Sequence, residues 1–127
     1  MKRVLIYLSL FFTVSIGLIG CYKDIDVPAT PVNPDGPPQA VNYSAELAPL
    51  FNSDCAKSGC HVSGGHHPYM NTDISYNEII NGGFVNTILP KESILYIMIN
   101  SDMKEFIPNA SDRQKVYDWI RNGAPNN

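Results

Sequence analysis

Residues 111–127 read Ser-Asp-Arg-Gln-Lys-Val-Tyr-Asp-Trp-Ile-Arg-Asn-Gly-Ala-Pro-Asn-Asn. Ser111 followed by Gln114 has the form of a capping box, in which two side chains satisfy backbone donors that a helix start leaves free. Val116, Trp119 and Ile120 then make an apolar stripe at helical spacing, with Tyr117 beside it. Gly123 suits the left-handed residue past a helix end, and Pro125 prevents continuation. The stretch predicts an amphipathic helix, and the rest of the chain follows the same pattern. A second helix is predicted over Tyr76–Asn81, with Ser75 and Glu78 as its box and Gly82-Gly83 as its stop. Ser93–Asn100 is a short continuous apolar run that suits a buried strand as well as a helix. Pro90-Lys91-Glu92-Ser93 ahead of it reads as a helix start and favours the helix. Ser44–Asn52 is a candidate first helix, with Pro49 confining regular hydrogen bonding to its second half. No alternating two-residue pattern of any length occurs, so the expected class is all-α.

Working towards the N-terminus, the chain changes character twice. Residues 43–127 form one small domain, of a size that often needs a staple or a cofactor as well as a core. Residues 22–42 hold five of the ten prolines among Asn, Asp, Gly, Ala and Thr. Too few large apolar groups are present to fold, which predicts a semi-extended, disordered spacer with a reach of up to ~65 Å as polyproline II. Before it, Lys2 and Arg3 precede an apolar run from Val4 to Ile19, the marks of a secretory signal over 1–20. The run is short of the ~20 residues that a spanning helix needs. Leu18-Ile19-Gly20-Cys21 looks like a bacterial lipoprotein cleavage box, which would make Cys21 the acylated first residue of the mature chain. Several acyl chains hold a protein on a membrane essentially for good. The acidic start Tyr22-Lys23-Asp24-Ile25-Asp26 resembles a tag that sends lipoproteins to the outer face of the outer membrane. A solvated charge pair reads equally well.

Nine basic residues against twelve acidic ones give a net charge of −3, and without Lys2 and Arg3 seven against twelve give −5. An acidic chain with scattered lysines has no basic stripe for phosphates, which excludes nucleic acid as an expected partner. No Ser-His-Asp set, phosphate loop or telling carboxylate pair occurs. Asp73, Glu78 and Asp118 read as caps and surface, so these residues give no expectation of an enzyme.

The chemistry-bearing stretch is Cys55-Ala56-Lys57-Ser58-Gly59-Cys60-His61. Two cysteines with a histidine directly after them are the mark of covalently held haem, although the usual spacing has two intervening residues and this one has four. Five helical residues turn about 500° and rise about 7.5 Å, so neither a shared haem edge nor a disulfide is possible in helical geometry. Ser58-Gly59 is where the chain can leave it. An exported chain meets an oxidising compartment, where idle thiols do not persist. Three readings follow: haem, a Cys55–Cys60 disulfide, or zinc held by both cysteines and two of His61, His66 and His67. The adjacent imidazole favours haem, because a disulfide has no need of one. A disulfide closing five residues would also constrain the unfolded chain less than the ~3 kcal/mol of a fifteen-residue loop.

Ala48-Pro49-Leu50-Phe51, the Cys55…Cys60-His61 stretch, Ser75–Gly83, Pro90…Ser93-Ile94-Leu95-Tyr96 and the Trp119–Asn127 ending occur in that order. This series resembles the small c-type cytochrome domains of exported lipoproteins and planctomycete-type cytochromes, over nearly all of 43–127. The resemblance implies a cytochrome c-like helical fold, haem c and single-electron transfer with a redox partner protein. It implies that Cys55 and Cys60 are the thioether attachments and His61 the proximal iron ligand. Members commonly carry a Met-Pro pair before the last helix, whose methionine is the distal ligand. Here Ile107 precedes Pro108, so Met103 is the expected distal ligand. Met98 is a weaker candidate that reads more readily as core filler; His66 or His67 could supply bis-histidine ligation instead, though both read as a solvated loop beside Gly64-Gly65. An open distal position would instead suit a gas sensor. The rival from another class is a haem-free lipoprotein module, stapled by Cys55–Cys60, acting in outer-membrane assembly or partner binding.

Overall fold

Regular structure begins with a π-helical turn, Tyr43–Leu47, which runs directly into helix α1, Ala48–Asp54. Helices α2 (Ser75–Asn81), α3 (Ile94–Asn100) and α4 (Ala110–Arg121) follow, with a 3-10 turn at Pro90–Glu92 ahead of α3. This computed structural model describes residues 33–127, so the expected signal peptide, the expected lipidated Cys21 and the spacer up to residue 32 lie outside the described residues. Among the described residues the α-helices number four and no strand occurs, which makes the domain all-α.

The helix starts differ from the sequence reading, and each difference has a physical reason. Helix α4 begins one residue before Ser111, because Asn109 is the cap: its Oδ1 accepts from the Ser111 N–H at 3.0 Å and from the Ser111 hydroxyl at 3.1 Å. Ser75 opens α2 without capping it; the side chain is fully buried and its hydroxyl oxygen accepts from the Tyr43 hydroxyl at 2.8 Å. Burial beside a phenol outcompeted the local cap. At the first turn, Asn42 Oδ1 accepts from the Ala45 N–H at 2.8 Å while Glu46 reaches back to the Asn42 N–H at 2.9 Å. Pro49 falls in the first turn of α1, where its missing N–H leaves no bond unmade.

The core gathers around Trp119, with Tyr43 and Tyr76 at ring-centroid distances of 5.1 and 6.4 Å from it. Phe51 lies 6.3 Å from Tyr43, and Trp119, Phe51, Leu47, Ile79 and Ile120 are all fully buried. Such tilted and edge-on aromatic contacts add to the burial of large apolar areas. The chain end closes this cluster. Trp119 Nε1 donates to the Pro125 carbonyl at 2.9 Å, and the Tyr76 hydroxyl donates to the Ala124 carbonyl at 3.1 Å. Asn127 accepts from the Tyr43 and Ser44 N–H groups at 2.7 and 2.9 Å. The Trp-Ile-Arg-Asn-Gly-Ala-Pro-Asn-Asn ending is a clasp between α4 and the π-helical turn.

The end of the expected spacer is held against α4. Arg121 donates to the Pro34 and Gly36 carbonyls at 3.2 and 2.6 Å, and Asn122 donates to the Gln39 carbonyl at 2.8 Å. Asp118, read as surface, is buried: it accepts from the Gln39 N–H, from Gln114 and from Arg121 at 3.3, 2.9 and 3.1 Å. A buried carboxylate with three donors is satisfied and rigidifies its surroundings. Over these last residues, side-chain donors on α4 supply the order that the spacer's own composition does not.

Candidate functional site

Helix α1 delivers the first cysteine. Cys55 is its C-cap residue and its N–H still bonds the Phe51 carbonyl at 2.9 Å. The chain then folds back on itself: the Cys55 carbonyl accepts from the Lys57 N–H at 2.8 Å and from the His61 N–H at 3.1 Å, and the Cys60 N–H bonds the Lys57 carbonyl at 2.9 Å. Gly59, at φ 79°, is the left-handed residue that lets this turn leave helical geometry. A closed turn therefore absorbs the four intervening residues. A second glycine is required at 65, where a methyl group would run into the Cys60 carbonyl oxygen.

His61 follows directly. Its Nδ1 lies 3.1 Å from the His66 carbonyl oxygen and 3.0 Å from that of Pro68. Carbonyls only accept, so Nδ1 carries a proton, and in the neutral ring the lone pair is therefore on Nε2. A metal-binding histidine is commonly oriented in this way, with one ring nitrogen donating to a carbonyl and the other left for the metal. The Met70 N–H bonds the His61 carbonyl at 2.7 Å, and the His66 N–H bonds the Cys60 carbonyl at 2.8 Å, which closes the loop around the ring.

Cys55, Cys60 and His61 line one cavity of about 450 Å³. Met98 and Met103 line the same cavity, so α3 and the loop after it bring two thioethers to the volume that the cysteine loop borders. The remaining wall is largely apolar, with Phe51, Phe84, Leu95, Ile99 and Phe106 contributing to it. The cavity lies within the ~300–1,000 Å³ typical of ligand and cofactor sites. Cys55 and Cys60 are both free thiols and half-buried. Burial, with Asp54 adding to it, pushes the Cys55 thiol up to about 11.

The other expectations separate here. Ile107, at the position before Pro108, is 1% exposed in the core and is absent from the cavity wall, whereas Met103 is half-buried and part of it. Met98 also borders the cavity. His66 and His67 are exposed, as the glycine-rich loop predicts, and both also border the cavity. Among the described residues no three His, Cys, Asp or Glu side chains gather into a metal-binding group, so the zinc reading finds no ligand set. His67 instead pairs with Glu78, its Nδ1 at 2.8 Å from Oε2. No family model, no curated protein and no solved structure matches the chain. The functional reading rests on the chemistry of the cavity itself.

Sequence reasoning missed two contributors. Phe84 and Phe106 stand in loops, where an aromatic has no periodic signature that assigns it to a wall. The His66 and Pro68 carbonyls could not have been found at all, because every residue has one.

Proposed function

We propose that the protein is a c-type cytochrome-like electron carrier, tethered to the outer membrane through Cys21, in which Cys55 and Cys60 attach haem and His61 ligates its iron. The observation that carries this reading is the meeting of the two thiols, an imidazole with its Nε2 lone pair free, and two thioethers on one apolar cavity of about 450 Å³. The donor set fits: Cys55 and Cys60 would hold haem through thioether bonds, and His61 with a methionine would supply its iron with one nitrogen and one sulfur. Haem would supply the metal centre that gains and loses one electron.

The chain's own residues do the rest. The closed turn at 55–61 holds both sulfurs beside the histidine, and the carbonyls of His66 and Pro68 fix the imidazole tautomer and raise its basicity. Met103 would supply the methionine sulfur; a methionine paired with a histidine would give a higher potential than two histidines. The apolar wall excludes water, which also sets the potential. The acidic surface steers a basic redox partner.

Expression of the full chain with the haem-attachment machinery tests the proposal. The expected product shows reduced c-type absorption bands and keeps its colour through acid-acetone extraction. Cys55→Ser with Cys60→Ser abolishes the covalent attachment, and Met103→Ala lowers the potential while Met98→Ala leaves the axial-ligand spectrum intact. A colourless protein with Cys55 and Cys60 joined to one another overturns the proposal and leaves the haem-free module in its place.

A further inference from the structure

We propose, building on the haem reading above, that Glu78 is the positioning residue for His61, pinning to helix α2 the loop whose carbonyls hold the imidazole. Glu78 Oε2 takes the His67 Nδ1–H at 2.8 Å and the Tyr69 N–H at 3.3 Å. These two residues flank Pro68, whose carbonyl stands 3.0 Å from His61 Nδ1, and the His66 carbonyl at 3.1 Å is one residue further back. One carboxylate thus grips the chain on both sides of the oxygen that orients the ring.

The platform is firm and the loop by itself is not. The Glu78 N–H and carbonyl belong to the α2 ladder, bonded to Ile74 and Gly82 at 3.1 and 3.0 Å, and the neighbouring Ile79 is fully buried. Residues 63–67 are exposed. Their other ties are Asn71 Oδ1 to the Ser63 N–H and hydroxyl at 2.8 and 2.9 Å, Gly65 to Val62 at 2.8 Å and His66 to Cys60 at 2.8 Å; beyond the buried Pro68 the Met70 N–H bonds the His61 carbonyl at 2.7 Å, so Glu78 supplies the hydrogen bonds to His67 and Tyr69 themselves. The His67 ring lies on Tyr69 with centroids 3.9 Å apart, so the Glu78 contact holds a stacked pair rather than a lone side chain. The His67 hydrogen bond, followed by the Tyr69 N–H, holds the Glu78 carboxyl below its ordinary range, which keeps it an ionised acceptor. Without the grip, water competes for His61 Nδ1, and the tautomer with the proton on Nε2, which leaves no lone pair on that nitrogen, becomes accessible.

Glu78→Ala and Glu78→Gln in the full chain, produced with and without the haem-attachment machinery, test this. Without haem, 15N NMR of the His61 ring reads the tautomer directly. The expected result is the Nδ1–H form in the parent and in Glu78→Gln, which keeps an acceptor of the same shape, and a mixture in Glu78→Ala. With haem, the weaker imidazole donor in Glu78→Ala raises the potential, moving the ratio of reduced to oxidised protein about tenfold at fixed potential, or ~59 mV for one electron. Glu78→Gln stays within about twofold of the parent. An unchanged His61 tautomer in Glu78→Ala overturns the inference, even if the protein is coloured. A colourless protein whose tautomer still shifts overturns the haem reading and upholds the role of Glu78. Should Glu78→Ala fail to fold, Glu78→Asp, too short to bridge both partners, gives the same readouts.

Discussion

The two halves of this domain are packed on opposite plans. Around Trp119 the space is filled: Tyr43, Phe51, Tyr76 and Trp119 interlock, and the chain end is drawn over them by hydrogen bonds. Around the cysteine loop, residues of similar apolarity border a hollow of about 450 Å³. Phe51, fully buried, belongs to both halves, so the hollow reaches from the exposed His66 and Ile94 down to the core. A protein interior normally packs as densely as an organic crystal. Here a small domain leaves such a volume between largely apolar walls, with two thiols and an imidazole bordering it. The filled half supplies the rigidity on which the hollow half depends.

That contrast can be broken by experiment, and the largest effect is expected in the filled half. Trp119→Ala removes the centre of the aromatic cluster and a hydrogen bond to Pro125, and should lower unfolding stability by ~3–5 kcal/mol in chemical denaturation, with or without haem. Leu95→Ala tests the hollow half: with haem in place the loss is about 3 kcal/mol, and without it about half as much, because part of the side chain then borders empty space. Equal losses in the two preparations would mean that nothing fills the cavity.

A third test uses pH. Burial pushes the Tyr43 phenol up from 10 to about 12, against the opposing effect of its bond to Ser75. Between those values the unfolded chain releases a proton that the folded chain retains. Stability is therefore intact below about pH 10 and declines as pH rises towards 12, by ~2–3 kcal/mol. Denaturation midpoints across that range should lose this slope in Tyr43→Phe. The smallest effect is expected for Ile107→Met, which restores a Met-Pro pair. Because Ile107 is buried in the core and does not border the cavity, the substitution should cost less than ~1.5 kcal/mol and leave the visible spectrum of the haem protein unchanged. A new axial-ligand signature there would move the boundary between the two halves.

Much of the helical frame could be read in advance, because its signals are local. The spacing of Val116, Trp119 and Ile120 identifies the buried side of α4, and Gly82-Gly83 and Gly123 stop their helices where expected. The caps could not be read as well. Ser111 and Asn109 are both good caps, and the choice between them depends on which one the chain presents in extended geometry; Asn109, at ψ 120°, does so. Ser75 matched the capping pattern and was claimed by Tyr43, thirty-two residues away. The cysteine loop is an intermediate case: its residues announced a cofactor or a staple, and Gly59 announced the turn, but neither said what the turn would face.

The sequence by itself determined an all-α domain, four helical segments, a two-cysteine turn followed by a histidine, and the candidate donors available to it. Tertiary structure alone decided that Met98 and Met103 reach the cavity while Ile107 does not, and that His61 is oriented by carbonyls five and seven residues away. It also made Glu78 a tie to the loop, and it joined residues 34–39 to α4. The physical reason is the same in each case. Helix periodicity and turn chemistry are properties of neighbouring residues, whereas a backbone carbonyl, an unbound side-chain donor or an unfilled volume carries no residue signature and exists only once distant segments have closed on one another.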